Sequence, residues 1–146
     1  MIVVIDTNVI YQALRSKNGA SHYIINLIRE GKINIALSIN IFKEYEDVLL
    51  RPKSLIDLKL DESDINKVLT FLAYIGKSFN THYLFRPNLK DENDNMFVDL
   101  ALASNSKYII TNNISDFTID NELKFDSIKI ITPTDFIKLW RKKHEK

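Results

Sequence analysis

Asp6, Glu44, Asp94 and Asp116 are the carboxylates that stand apart by position. Asp6 follows the apolar run Ile2-Val3-Val4-Ile5 directly, so its side chain emerges at the carboxyl edge of the strand which that run predicts. Glu44 lies three residues after Ile41 and four before Val48, which turns it toward the apolar side of its helix, whereas Glu46 and Asp47 lie elsewhere on the wheel. Asp94 belongs to the acidic cluster Lys90-Asp91-Glu92-Asn93-Asp94-Asn95 and shares a helix face with Phe97, Val98 and Ala101. Asp99, about half a turn away, is expected to tend outward. Asp116 closes Thr111-Asn112-Asn113-Ile114-Ser115-Asp116-Phe117, an Asx-rich segment that follows another apolar run. If Asp6, Glu44, Asp94 and either Asp116 or Asn113 converge at one end of a sheet, they repel one another and hold raised pKa values unless a cation neutralises them. An all-oxygen set favours a hard ion, Mg²⁺ or Mn²⁺.

Each of these residues also has a plain structural use. Asp6 can cap the helix that begins beside it, and Asn8 can either orient the Asp6 carboxylate or serve as the cap itself. Glu44 can sit in an ordinary salt bridge. Acids around Asp94 suit the positive end of a helix, and the 111–117 segment can be pure turn chemistry. The four segments gain weight from one another, because each falls beside a predicted strand end or helix start.

The elements that must position them are legible. The continuous β-branched run Ile2 to Ile5 suits a strand buried on both faces, and similar runs recur at Ile33 to Leu37, Tyr108 to Ile110 and Ile128 to Ile131, with a fainter candidate near Ser78 and Phe79. Between them the spacing becomes helical, at Tyr23, Ile24, Leu27 and Ile28, and again at Ile41, Phe42, Tyr45, Val48 and Leu49. Ser21 and Gly31 bracket the first of these helices. Ile65, Val68, Leu69 and Leu72 define another, with Asp61 as N-cap and Gly76 just past its end. Thr132 caps a last helix that opens with Pro133. Alternating strands and helices predict an α/β fold: one open, mostly parallel sheet between helical layers, with ligands beyond the carboxyl ends of its strands.

Composition narrows the function further. The 146 residues are one domain's worth of chain, with 45% hydrophobic and 27% charged residues and neither repeat nor linker. A formal net charge of +1 means that any nucleic-acid function rests on local patches. The absence of cysteine removes disulfides, thiolate catalysis and zinc-thiolate sites. The N-terminal run stops at Asp6, too early for a signal peptide, and no apolar stretch approaches a membrane span, so the expected location is the cytoplasm.

The order and context of Asp6-Thr7-Asn8-Val9, Ser38 with Glu44, Asp94 to Ala101, Thr111 to Phe117 and Thr132 to Phe136 resemble a PIN domain, in the toxin-like branch of toxin–antitoxin pairs. The resemblance spans nearly the whole chain. It implies a divalent-metal-dependent endoribonuclease with a central parallel sheet of about five strands and an acidic pocket for Mg²⁺ or Mn²⁺. Asp6 matches the family's first acid, Glu44 its second and Asp94 its third. At the fourth position the common form has an Asp two residues after the threonine; here Asn113 stands there and Asp116 becomes the fourth acid. Thr111 can contact phosphate or fix its loop, and Asn8 can support the ligands. The same resemblance implies a small antitoxin over the pocket or a nearby groove, and homodimerisation.

Three rivals are weaker. A haloacid-dehalogenase-like phosphohydrolase needs a second Asp where Asn8 stands, and no glycine-rich phosphate loop supports a nucleotide-binding fold. A catalytically inactive PIN-like module for RNA or protein is the third, with Asn113 as its mark. Lys138, Arg141, Lys142 and Lys143 can contact RNA phosphates or simply suit the end of a helix. His22, His82 and His144 have no metal-ligand spacing and are expected in surface or packing roles.

Overall fold

In a computed structural model of the chain, residues 1–81, 92–117 and 127–144 are described, without the side chains of 92–95. Five strands form one all-parallel sheet: β1 (Ile2–Ile5), β2 (Asn34–Leu37), β3 (Lys77–Ser78), β4 (Tyr108–Ile110) and β5 (Lys129–Ile131), in the order β3-β2-β1-β4-β5. All five predicted strands are present, the faint one as the two-residue β3. Val3, Val4 and Ile5 are each fully buried, and so are Ile35, Ile109 and Ile110. Since consecutive strand residues face opposite ways, this burial means that helices cover both faces of the sheet centre.

Seven α-helices occur among the described residues: α1 (Thr7–Arg15), α2 (Ala20–Arg29), α3 (Ile39–Leu49), α4 (Pro52–Leu58), α5 (Glu62–Ile75), α6 (Glu92–Ala103) and α7 (Pro133–His144). The start of α5 carries a capping box, with the Asp61 side chain accepting from the Asp64 amide and Asp64 returning the bond. Thr132 accepts from the Asp135 amide at the start of α7, with Pro133 in the first turn. Gly76 ends α5 without a left-handed turn; a Cβ there would lie 2.3 Å from Leu37 Cδ1, so close packing against β2 demands the glycine. Around α2 the expectation shifts: Gly19 holds the N-cap position and Ser21 is buried inside the helix, while Gly31 follows it at φ +75°.

No helix among the described residues is long and apolar enough to cross a membrane. His22 Nδ1 lies 3.2 Å from the Ala13 carbonyl and His144 stacks on Trp140, both packing roles. His82 lies outside the described residues.

Candidate active site

Asp6 stands at the carboxyl end of the central strand, and three neighbours fix it there. Its amide donates to the Ile110 carbonyl at 2.9 Å, extending the β1–β4 ladder by one bond. The preceding Ile5 carbonyl accepts from the hydroxyl of Tyr45, a fully buried side chain on α3. Its own carbonyl accepts the Val9 amide at 3.0 Å as α1 begins. Asp6 occupies the N-cap position by backbone geometry, yet its carboxylate makes no cap bond. Oδ2 instead accepts from Thr111 Oγ1 at 2.7 Å and from Asn8 Nδ2 at 3.2 Å.

This small network ties β1 to β4. Asn8 Oδ1 accepts the Asn112 amide at 3.1 Å, and Thr111 Oγ1 accepts the Asn113 amide at 3.0 Å. Thr111 is fully buried, which leaves its hydroxyl to fix the loop and the Asp6 carboxylate and gives it no exposure to a phosphate. Burial pushes the Asp6 carboxyl above its ordinary range; the hydrogen bonds from Thr111, the Thr7 backbone and Asn8 pull it back, and the charge of Asp116 pushes it further up. That last effect brings the two acids into one electrostatic site.

A cavity of about 430 Å³ opens at this edge, and its lining includes Asp6, Thr7, Asn8, Glu44, Asn112 and Asp116. Glu44 is half-buried on α3 and Asp116 is carried by a 3₁₀ turn over Ile114–Phe117. Asn113 does not line the cavity; its side-chain amide donates to Asp116 Oδ2 at 2.8 Å and its Oδ1 accepts from Ser115. Asn113 therefore holds the Asp116 carboxylate from outside. Asp94 falls in the first turn of α6, but its side chain is outside the described residues.

Asp99 overturns the expectation from the helical wheel: it is 3% exposed. Phe97 to Ala101 are five consecutive buried residues, because α6 packs against β1, β2, β4 and α3 at once. That packing encloses the stretch from Phe97 to Ala101, Asp99 included, and solvent is reached again one turn after Asp99, at the exposed Ala103.

The chemistry of the lining fits a hard cation. Apart from the Arg15 guanidinium, the polar side chains of the lining are carboxylates, hydroxyls and amides, and the Thr7 hydroxyl, buried in the same lining, has no hydrogen-bond partner among the described residues. That hydroxyl is closed off from solvent, so it is an unmet hydrogen bond beside the buried carboxylate and not an open ligand position. Among the described residues no group of three His, Cys, Asp or Glu is arranged to hold a metal ion.

Comparison with known proteins agrees with this architecture. A family model described as PIN domain matches residues 2–115. The chain belongs to the PIN domain family. It is 35% identical over 145 residues to an uncharacterized protein, MJ1680, of Methanocaldococcus jannaschii, covering 96% of this chain and 92% of that one. Its fold is similar to that in the crystal structure of VapBC2 from Rickettsia felis bound to a DNA fragment from their promoter. There the TM-score is 0.59 at 18% identity, over 90% of this chain and 98% of the other. The PIN fold anticipated from the motifs is the fold found.

Sequence reasoning missed three contributors to the site. Tyr45 was legible only as a core aromatic, Thr7 only as part of a motif, and Arg15, which also lines the cavity, not at all. The spacing Asn8, Tyr11, Gln12, Arg15 was the available signal, a polar stripe on the one helix that starts at Asp6.

Proposed function

We propose that this PIN domain is a divalent-metal-dependent endoribonuclease, hydrolysing RNA phosphodiester bonds, and the toxin of a toxin–antitoxin pair in the cytoplasm. The observation that carries the reading is the meeting of Asp6, Glu44 and Asp116 in one cavity at the carboxyl edge of the sheet, beside an unsatisfied buried hydroxyl. The residues that would hold Mg²⁺ or Mn²⁺ are Asp6, Glu44 and Asp116, with Asp94 as the further acid. The chemistry that such an ion would supply there is Lewis acidity, toward a water and toward the charge on phosphate oxygens. Thr111 and Asn8 keep the Asp6 carboxylate in one orientation and favour its ionised form. The Asn113 side-chain amide donates to Asp116 and holds that carboxylate in place. A small antitoxin over this edge and a homodimer are the partners that the toxin reading brings with it.

A second reading, an inactive PIN-like module for RNA or protein, draws on two observations: the amide of Asn113 in place of an acid, and no three-acid cluster among the described residues. Purified protein incubated with a mixed cellular RNA pool and Mn²⁺ separates the two, beside an EDTA control and an Asp6→Asn variant. Discrete cleavage that needs both the metal and Asp6, with a loss of a thousandfold or more on the order seen for essential catalytic groups, is the expected result. RNA left intact, with a melting temperature indifferent to Mn²⁺, would favour the inactive module.

A further inference from the structure

The acidic cavity poses a problem for a polyanionic substrate, and its lining contains one answer. Among the described residues, Arg15 is the single cation that lines the cavity holding Asp6, Glu44 and Asp116. It stands at the far end of the α1 stripe that begins at Asn8 and passes Tyr11 and Gln12, seven residues or roughly 10 Å along the helix axis. The side chains of this stripe all line the same wall.

Arg15 is held loosely. Its Nη1 lies 3.6 Å from Asp57 Oδ2 on α4, with the two side chains 56% and 37% exposed. The same Asp57 oxygen accepts the hydroxyl of Tyr11. An exposed pair at that separation contributes little to stability, and one carboxylate oxygen leaves most of the five guanidinium donors unused. A phosphate, with more acceptor oxygens and more charge, is the better partner for that fork.

We propose that Arg15 is a phosphate-binding residue of the RNA track, engaging a backbone phosphate next to the scissile one, and that Asp57 is its resident competitor. Tyr11, released from Asp57, offers its ring and hydroxyl to the neighbouring nucleotide. The inference rests on the ribonuclease reading of this cavity and gives that site its entry side. It also separates two surfaces that both hold cations, since Lys138 and Lys142 on α7 line a different cavity together with Lys129.

The test is binding rather than cleavage. A fluorescein-labelled twelve-nucleotide oligouridine is titrated in Mn²⁺ against the Asp6→Asn chain, and against that chain carrying Arg15→Gln, Asp57→Asn, or Lys138→Gln with Lys142→Gln, over a salt series. Arg15→Gln weakens binding roughly threefold to tenfold, and the slope of log affinity against log salt falls by about 0.7, one phosphate contact to a single strand. Asp57→Asn moves affinity the other way, which a structural role for the ion pair would not do. Thermal melts confirm that each variant is folded. Equal affinity and slope for Arg15→Gln and its parent, a loss confined to the α7 pair, or no binding by the parent at all would overturn the proposal. Failure of the ribonuclease reading itself would show separately, as absent or Asp6-independent cleavage by the wild-type chain.

Discussion

Helix α1 separates two cavities of opposite character. On one side Asn8, Tyr11, Gln12 and Arg15 face the acidic edge pocket. On the other, Ile10, Ala13 and Leu14 join Ile25, Val68 and Phe71 around a cavity of about 270 Å³ whose lining is mostly apolar. One helix of nine residues thus serves packing and chemistry at once, because its two stripes are offset on the wheel. The difference lies in what each side leaves unsatisfied. The apolar wall needs only area removed from water, whereas the acidic wall keeps a carboxylate under a burial penalty and a hydroxyl without a partner.

The sharpest way to break this comparison is to damage the apolar wall and watch the other. Ile10 is 1% exposed, so Ile10→Ala removes buried methyl groups and is expected to lower stability by about 3 kcal/mol. Cleavage per folded molecule, measured well below the melting transition, should stay near the wild-type rate. If cleavage falls in proportion to stability, the two faces of α1 are coupled and the division of labour is wrong.

A smaller effect is expected from Thr111→Val on the acidic wall. The substitution keeps shape but removes the hydrogen bond to Asp6 and the acceptor of the Asn113 amide, at a cost of about 1–2 kcal/mol. The Thr111 bond is the largest of the influences that lower the Asp6 pKa, so its loss raises that pKa further. The acid limb of the cleavage–pH profile should therefore move to higher pH. An unmoved limb, with stability reduced as expected, would mean that Asp6 does not set it.

Much of this arrangement was legible because burial leaves repetitive marks. Strands covered on both faces must be apolar at every position, which is why Ile2 to Ile5 and Tyr108 to Ile110 read correctly, and Asp61 and Thr132 announced their helices through local capping chemistry. Asp6 and Asp116 were found by their place after predicted strands and Glu44 by its side of a helical wheel, and the three line one cavity. What escaped depends on neighbours far away in sequence. α4 is seven residues long, too short for a periodic signal, and it supplies Asp57. Asp99 was turned outward by a wheel that assumed one buried face, where α6 has elements packed on several sides. The Tyr45 hydroxyl finds the Ile5 carbonyl forty residues away, a contact that no local pattern encodes.

The smallest expected effect separates the fold's interest from that of the site. Burial raises the Asp6 pKa in the folded chain, so the native state binds this proton more tightly than the unfolded state does. In metal-free protein the stability from Asp6 is fully present below the unfolded value, about pH 4, and is lost as pH rises through the higher folded value. Above that window the ionised carboxylate carries its whole desolvation penalty. Asp6→Asn escapes the loss, and its single amide oxygen can accept from both Thr111 and Asn8 as Oδ2 does now. In EDTA, then, the variant should melt with the wild type at acid pH and a few degrees above it at neutral pH, the gap opening across the Asp6 titration. Mn²⁺ should reverse the order by stabilising only the wild type. A gap that is constant at every pH would assign the variant's effect to packing, and would remove the electrostatic contrast between the two walls of α1.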